Sequence, residues 1–105
     1  MKIYRVVISI DAKASLKKYI RYLRDVKLSP QAARNVLDDF TATRIALSQA
    51  AGSLQEPENE KLKARSLKRI NFQKHNYFML YKVEGETAII TNIFHGLEDY
   101  EGKLR

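Results

Sequence analysis

Residues 77–95 read YFMLYKVEGETAIITNIFH, two apolar runs separated by the short break EGE. Both runs are rich in β-branched and aromatic side chains, and Gly85 between them can adopt the positive φ that a tight hairpin needs. This pattern predicts two antiparallel strands. The first run is apolar almost throughout, as an interior strand covered on both faces would be. Immediately upstream, residues 62–72 are of mixed character and read as a further strand, so the C-terminal half is a three-stranded meander. In an extended chain Lys63, Arg65, Arg69 and Asn71 share one side and Lys68, Ile70 and Phe72 the other, unless a bulge near Leu67 shifts the phase.

The segment before the meander, GSLQEPENE at 52–60, has no apolar period and reads as a loop. Further back, Ser29-Pro30 is a helix start: serine accepts the first unpaired amides and proline loses nothing at the first helical position. The helix it opens places Ala33, Val36, Leu37, Phe40, Leu47 and Ala51 on one side, and Gly52 offers a left-handed stop. An earlier helix lies in residues 12–27, AKASLKKYIRYLRDVK, with Leu16, Tyr19, Ile20, Leu23 and Val26 at three-four spacing, basic residues opposite and Asp11 as cap. Residues 2–9, KIYRVVIS, alternate as a first strand. The resulting order is β-α-α-β-β-β. That is an α+β fold, with an N-terminal helical hairpin packed on one face of a small, mostly antiparallel sheet and the other face partly open.

A chain of 105 residues buries one core, so 1–105 is read as a single domain. The chain has no cysteine and two unclustered histidines, a poor donor set for a metal, and neither a metal nor a cofactor is expected. No apolar run approaches the ~20 residues of a membrane span, and the expected location is the cytoplasm. Of 19 basic side chains, seven fall between residues 61 and 83 (Lys61, Lys63, Arg65, Lys68, Arg69, Lys74 and Lys82), a segment without Asp or Glu. The remainder carries twelve basic and twelve acidic groups, so the whole excess of +7 sits there. A concentrated positive stripe attracts polyanions, either a phosphate backbone or an acidic protein, unless it is only a solvated strand face.

In VVISIDAKASLKKYIRYL (6–23), SPQAARNVLDD (29–39), INFQKHNYFMLYKVEGETAIITNIFHG (70–96) and DYEGKL (99–104), taken in this order and spacing, the chain resembles the RelE/ParE superfamily, the toxins of bacterial type II toxin–antitoxin systems. The resemblance covers nearly the whole chain. It implies a labile, acidic or amphipathic antitoxin wrapped around the toxin, and one of two targets. RelE-like and YoeB-like toxins cut messenger RNA on the ribosome. ParE-like toxins poison DNA gyrase without chemistry of their own.

Because the charge excess lies where a nuclease needs it, the first expectation is a ribosome-dependent mRNA endoribonuclease; inhibition of gyrase is the alternative. Cleavage by the 2′-hydroxyl needs a base, an acid and a cation for the phosphate. Arg69 in KRIN aligns with an arginine of the comparable YoeB-like RRIN segment, and its planar fork suits phosphate. His95 closes the last strand where many members carry histidine, and imidazole exchanges protons near neutrality; its other reading is a strand-end packing residue. Tyr100 resembles a C-terminal family tyrosine that stacks on a base or donates a hydrogen bond, or else packs on the helices. Lys61, Lys63, Arg65, Lys68 and Lys74 would hold the RNA. Gly96 lets the chain turn out of the sheet, and His75 sits exposed in a turn. The resemblance is broken at Gly96-Leu97-Glu98, where RelE-like and many ParE-like members place an arginine. No glutamate matches the YoeB-like base, Glu58 and Glu60 lying in the preceding loop.

Overall fold

The structure, a computed structural model, describes residues 3–52, 60 and 64–97. Strand β1 (Arg5–Ile8) leads into α1 (Ile10–Arg21), which is prolonged by a π-helical turn, Tyr22–Val26; α2 (Pro30–Ala50) returns antiparallel to it. Strands β2 (Lys68–Asn71), β3 (Tyr77–Glu84) and β4 (Thr87–His95) complete a sheet of order β1-β4-β3-β2. The β1–β4 pair is parallel and the others antiparallel. The hairpin read at 77–95 is present. Glu84 pairs with Thr87, and Gly85 turns at φ 61°.

The helices pack Ala12, Leu16, Val36, Phe40, Leu47 and Ala51 against Phe72, Met79, Tyr81, Ala88, Ile90 and Ile93 of the sheet side. The other sheet face is not open where β2, β3 and β4 meet. Leu67, Phe78, Leu80 and Phe94 form a second buried cluster there, with Phe78 1% and Leu80 0% exposed. The unbroken apolar run of β3 is thus used on both sides, as its composition implied. The face is closed at this place because aromatic side chains of neighbouring strands cover one another: Phe78 and Phe94 lie 5.7 Å apart.

Several local expectations change for identifiable reasons. Ser9, not Asp11, caps α1: its hydroxyl accepts from the Ala12 amide and donates to the Thr91 carbonyl, joining helix to sheet. The first strand is shorter than 2–9, since Tyr4 donates its amide to Ser48 of α2 and Arg44 donates to the Val6 carbonyl, so α2 occupies the outer edge of β1. The π turn inserts an extra residue in the helical winding. Val26 is thereby rotated off the apolar face and is exposed, as is Leu37 of α2. Gly52 does not take a left-handed conformation. Glycine is needed there because a Cβ would strike the Tyr4 hydroxyl. Gly96 likewise serves close approach, to the side chain of Asn76. The strand read at 62–72 begins only at Lys68: Glu60 and Ala64 are helical, Arg65 and Ser66 turn, and Ser66 has φ 56°.

Candidate functional site

Among the described residues, the cations and the histidine singled out by sequence do not gather. Arg69, on the edge strand β2, is exposed; its Cζ lies 3.9 Å above the Phe78 ring and its Nε donates to Asn71 Oδ1 at 2.9 Å. It therefore stands on the face of the second cluster. Lys68, half-buried, precedes it on the opposite face. Arg65 is exposed in the turn before β2 and Lys74 in the loop after it. Lys61, Lys63 and Tyr100 lie outside the described residues.

His95 points the other way from Arg69. In β4 the pairing slips between Leu80–Asn92 and Tyr81–Ile90, leaving Thr91 as a one-residue bulge. The bulge reverses the alternation that would have grouped His95 with Ile89 and Thr91, and places it with Ile93 and Ile90 on the helix-covered face. Its ring meets Tyr77 edge-on at 5.0 Å, its backbone amide donates to the Tyr19 hydroxyl, and its Nδ1 accepts from the Leu97 amide at 3.1 Å. With Nδ1 acting as acceptor, the ring proton resides on Nε2. Adjacent residues of paired strands face opposite ways, and the register pairs Tyr77 with His95 but Phe78 with Phe94. The guanidinium and the imidazole are consequently separated by the sheet itself.

The tightest polar arrangement among the described residues involves a residue that sequence reasoning passed over. Asp39 of α2 is buried, and its carboxylate accepts from the Gln73 amide at 3.0 Å, the Lys74 amide at 2.9 Å and His75 Nδ1 at 2.7 Å. Burial pushes its pKa up, but the hydrogen bonds from His75 and from the backbone of Lys74 and Gln73 prevail and hold it below the usual carboxylate range. His75 is half-buried rather than the exposed turn residue expected. Beside the pair lies a cavity of about 510 Å³ lined by Asn35, Asp38, Ala42, Gln73 and Lys74. A signal did exist in the sequence. Asp39 follows Val36 by three and precedes Thr43 by four, inside the buried stripe of α2. The arrangement fastens the β2–β3 loop to the helix. Among the described residues no three His, Cys, Asp or Glu groups could hold a metal ion.

Along the helical hairpin a groove of about 330 Å³ has an apolar floor, Leu16, Ile20 and Leu37, and a rim of Lys13, Lys17, Arg21 and Arg24. Among the described residues no acidic side chain lines it. Such a groove accepts the apolar face of an amphipathic helix whose flanks carry carboxylates. Periodicity alone puts the basic residues of α1 opposite its apolar face, whereas in the fold Lys13, Lys17, Arg21 and Arg24 border an apolar groove. No helix among the described residues is long and apolar enough to cross a membrane.

A family model described as "ParE toxin of type II toxin-antitoxin system, parDE" matches residues 6–100. Among solved structures, one described as "Chromosomal ParDE TA system from P. aeruginosa" is similar over 89% of this chain and 96% of that chain, with a TM-score of 0.74 and 16% identity; at that identity the likeness is one of fold. No curated protein matches.

Proposed function

Because the chain belongs to the ParE toxin family of type II toxin–antitoxin systems, we propose that it acts as ParE-like toxins do, by binding DNA gyrase, and cuts no RNA. One observation carries the choice: Arg69 and His95, the groups assigned to phosphate and proton transfer, stand on opposite faces of the sheet. General acid–base chemistry on one phosphodiester needs both within a few ångströms of it. Arg69 is also turned to Asn71 and the Phe78 ring, and His95 Nδ1 accepts from the Leu97 backbone amide. The ribosome-dependent reading keeps the support of the charge excess in 61–83, which a phosphate-binding surface would explain.

The parDE system implies an antitoxin as partner. The hairpin groove suits it, with Leu16, Ile20 and Leu37 meeting apolar side chains and the four rim cations meeting carboxylates. The test uses purified toxin in two assays, DNA supercoiling by gyrase and translation of a defined messenger on ribosomes. The expected result is blocked supercoiling, intact messenger, and full inhibition by Arg69→Ala and His95→Ala. Site-specific messenger fragments that vanish in those two variants would overturn the proposal and restore the nuclease.

A further inference from the structure

We infer that the tip of the helical hairpin, formed by Tyr22, Val26 and Leu28, is the knob by which this toxin enters an apolar, acid-rimmed pocket on its protein target; the inference rests on the reading that the toxin acts by binding. Three large apolar side chains are presented there within seven residues. Tyr22 is 47% exposed, Val26 63% and Leu28 78%. Exposed apolar residues are ordinary when scattered, but a cluster on one protrusion marks a contact surface. The backbone is unusual at the same place. Lys27 donates its amide to Tyr22 across a π turn, Ser29 donates to Leu23, and between them Leu28 has φ 52°. A bulky side chain in the left-handed region is disfavoured, and glycine or asparagine would relieve it without altering the turn. A leucine that is both strained and solvent-exposed gains nothing for the fold; its side chain has value only if something else covers it.

Charge and shape select the occupant. At the tip Lys27 leans over Tyr22 at 5.8 Å, and the lone acid of the segment, Asp25, is paired with Arg24, so that Lys27 leaves it net positive. The net positive rim calls for an acidic border on the partner. A convex, hydrogen-bonded knob fits a preformed pocket in a folded protein, and tyrosine and arginine are the side chains that dominate such contacts. An extended or helical antitoxin segment fits a groove better, and the hairpin offers one alongside. The tip is thereby assigned to the target and the groove to the antitoxin.

The experiment compares wild type, Leu28→Gly and Val26→Asp/Leu28→Asp for gyrase supercoiling, antitoxin capture and thermal melting. Leu28→Gly is the decisive variant, because relief of the left-handed strain keeps or raises the melting temperature while the side chain is lost. The expected result is inhibition weakened at least tenfold in Leu28→Gly and abolished in the double variant, with antitoxin capture unchanged in both. Unchanged inhibition overturns the inference while leaving the gyrase reading in place, as does a loss of antitoxin capture with inhibition retained. A wild-type chain that leaves supercoiling untouched overturns the gyrase reading and the assignment of the tip with it.

Discussion

Replacing Asp39 is expected to loosen the molecule at one identifiable joint. Its carboxylate is the shared acceptor for two backbone amides and one imidazole, all at 2.7–3.0 Å, in a site where the aspartate is buried. Hydrogen bonds to a charged acceptor contribute about 1.5–3 kcal/mol each, and the aspartate's own desolvation takes back part of the total. Asp39→Ala leaves three donors without a partner and is expected to cost about 3–5 kcal/mol, the range for breaking a buried ionic group from its partners. At roughly 4 °C per kcal/mol for a domain of this size, Tm falls by about 12–20 °C. Asp39→Asn keeps one acceptor oxygen, and the imidazole can accept from the new amide by changing tautomer, so the cost drops to about 1–3 kcal/mol. The folded-state pKa of Asp39 is depressed, so the unfolded chain takes up the proton first. The stabilisation is complete above the ordinary carboxyl value of about 3.9, and is lost as pH falls through the lower folded value. Urea titrations from pH 6 down to 2 should therefore show a shallower pH dependence in Asp39→Asn, by up to about 1.4 kcal/mol per pH unit within that acid window. A cost below 1 kcal/mol for Asp39→Ala, or an unchanged acid slope for Asp39→Asn, would refute the view that this carboxylate holds the β2–β3 loop on α2.

Tyr81 is fully buried with its hydroxyl donating to the Ala51 carbonyl, and burial, followed by the nearby Tyr4, pushes its pKa up to about 12. Its contribution is present below the ordinary tyrosine value of about 10 and is lost as pH rises towards 12; Tyr81→Phe should cost about 1 kcal/mol at pH 7 and flatten the alkaline unfolding curve. Ser9→Ala removes both the α1 cap and the bond to Thr91, and is expected to lower stability by about 1–2 kcal/mol in chemical denaturation. At Gly85, φ is 61° with open space around the α-carbon, so Gly85→Ala should cost about 1 kcal/mol and Gly85→Asn clearly less, by the same measurement.

Taken alone, the sequence determined what depends on neighbours along the chain: the order β-α-α-β-β-β, the start of α2 at Ser29-Pro30, the hairpin about Gly85 and the double-sided burial of β3. Periodicity, caps and turn residues act over a few positions and are visible as such. Family membership was legible for a related reason, since it resides in the order and spacing of short segments. Tertiary structure decided which way the site residues point. A single bulge at Thr91 turned His95 to the helix-covered face and away from Arg69, and one π turn brought Val26 to the surface. Asp39 became a buried acceptor because the loop after β2 was folded onto it. Each is a change of one residue in phase or one long-range contact. Side-chain direction in strands and helices alternates so rapidly that a one-residue slip reverses it, and linear spacing cannot register the slip.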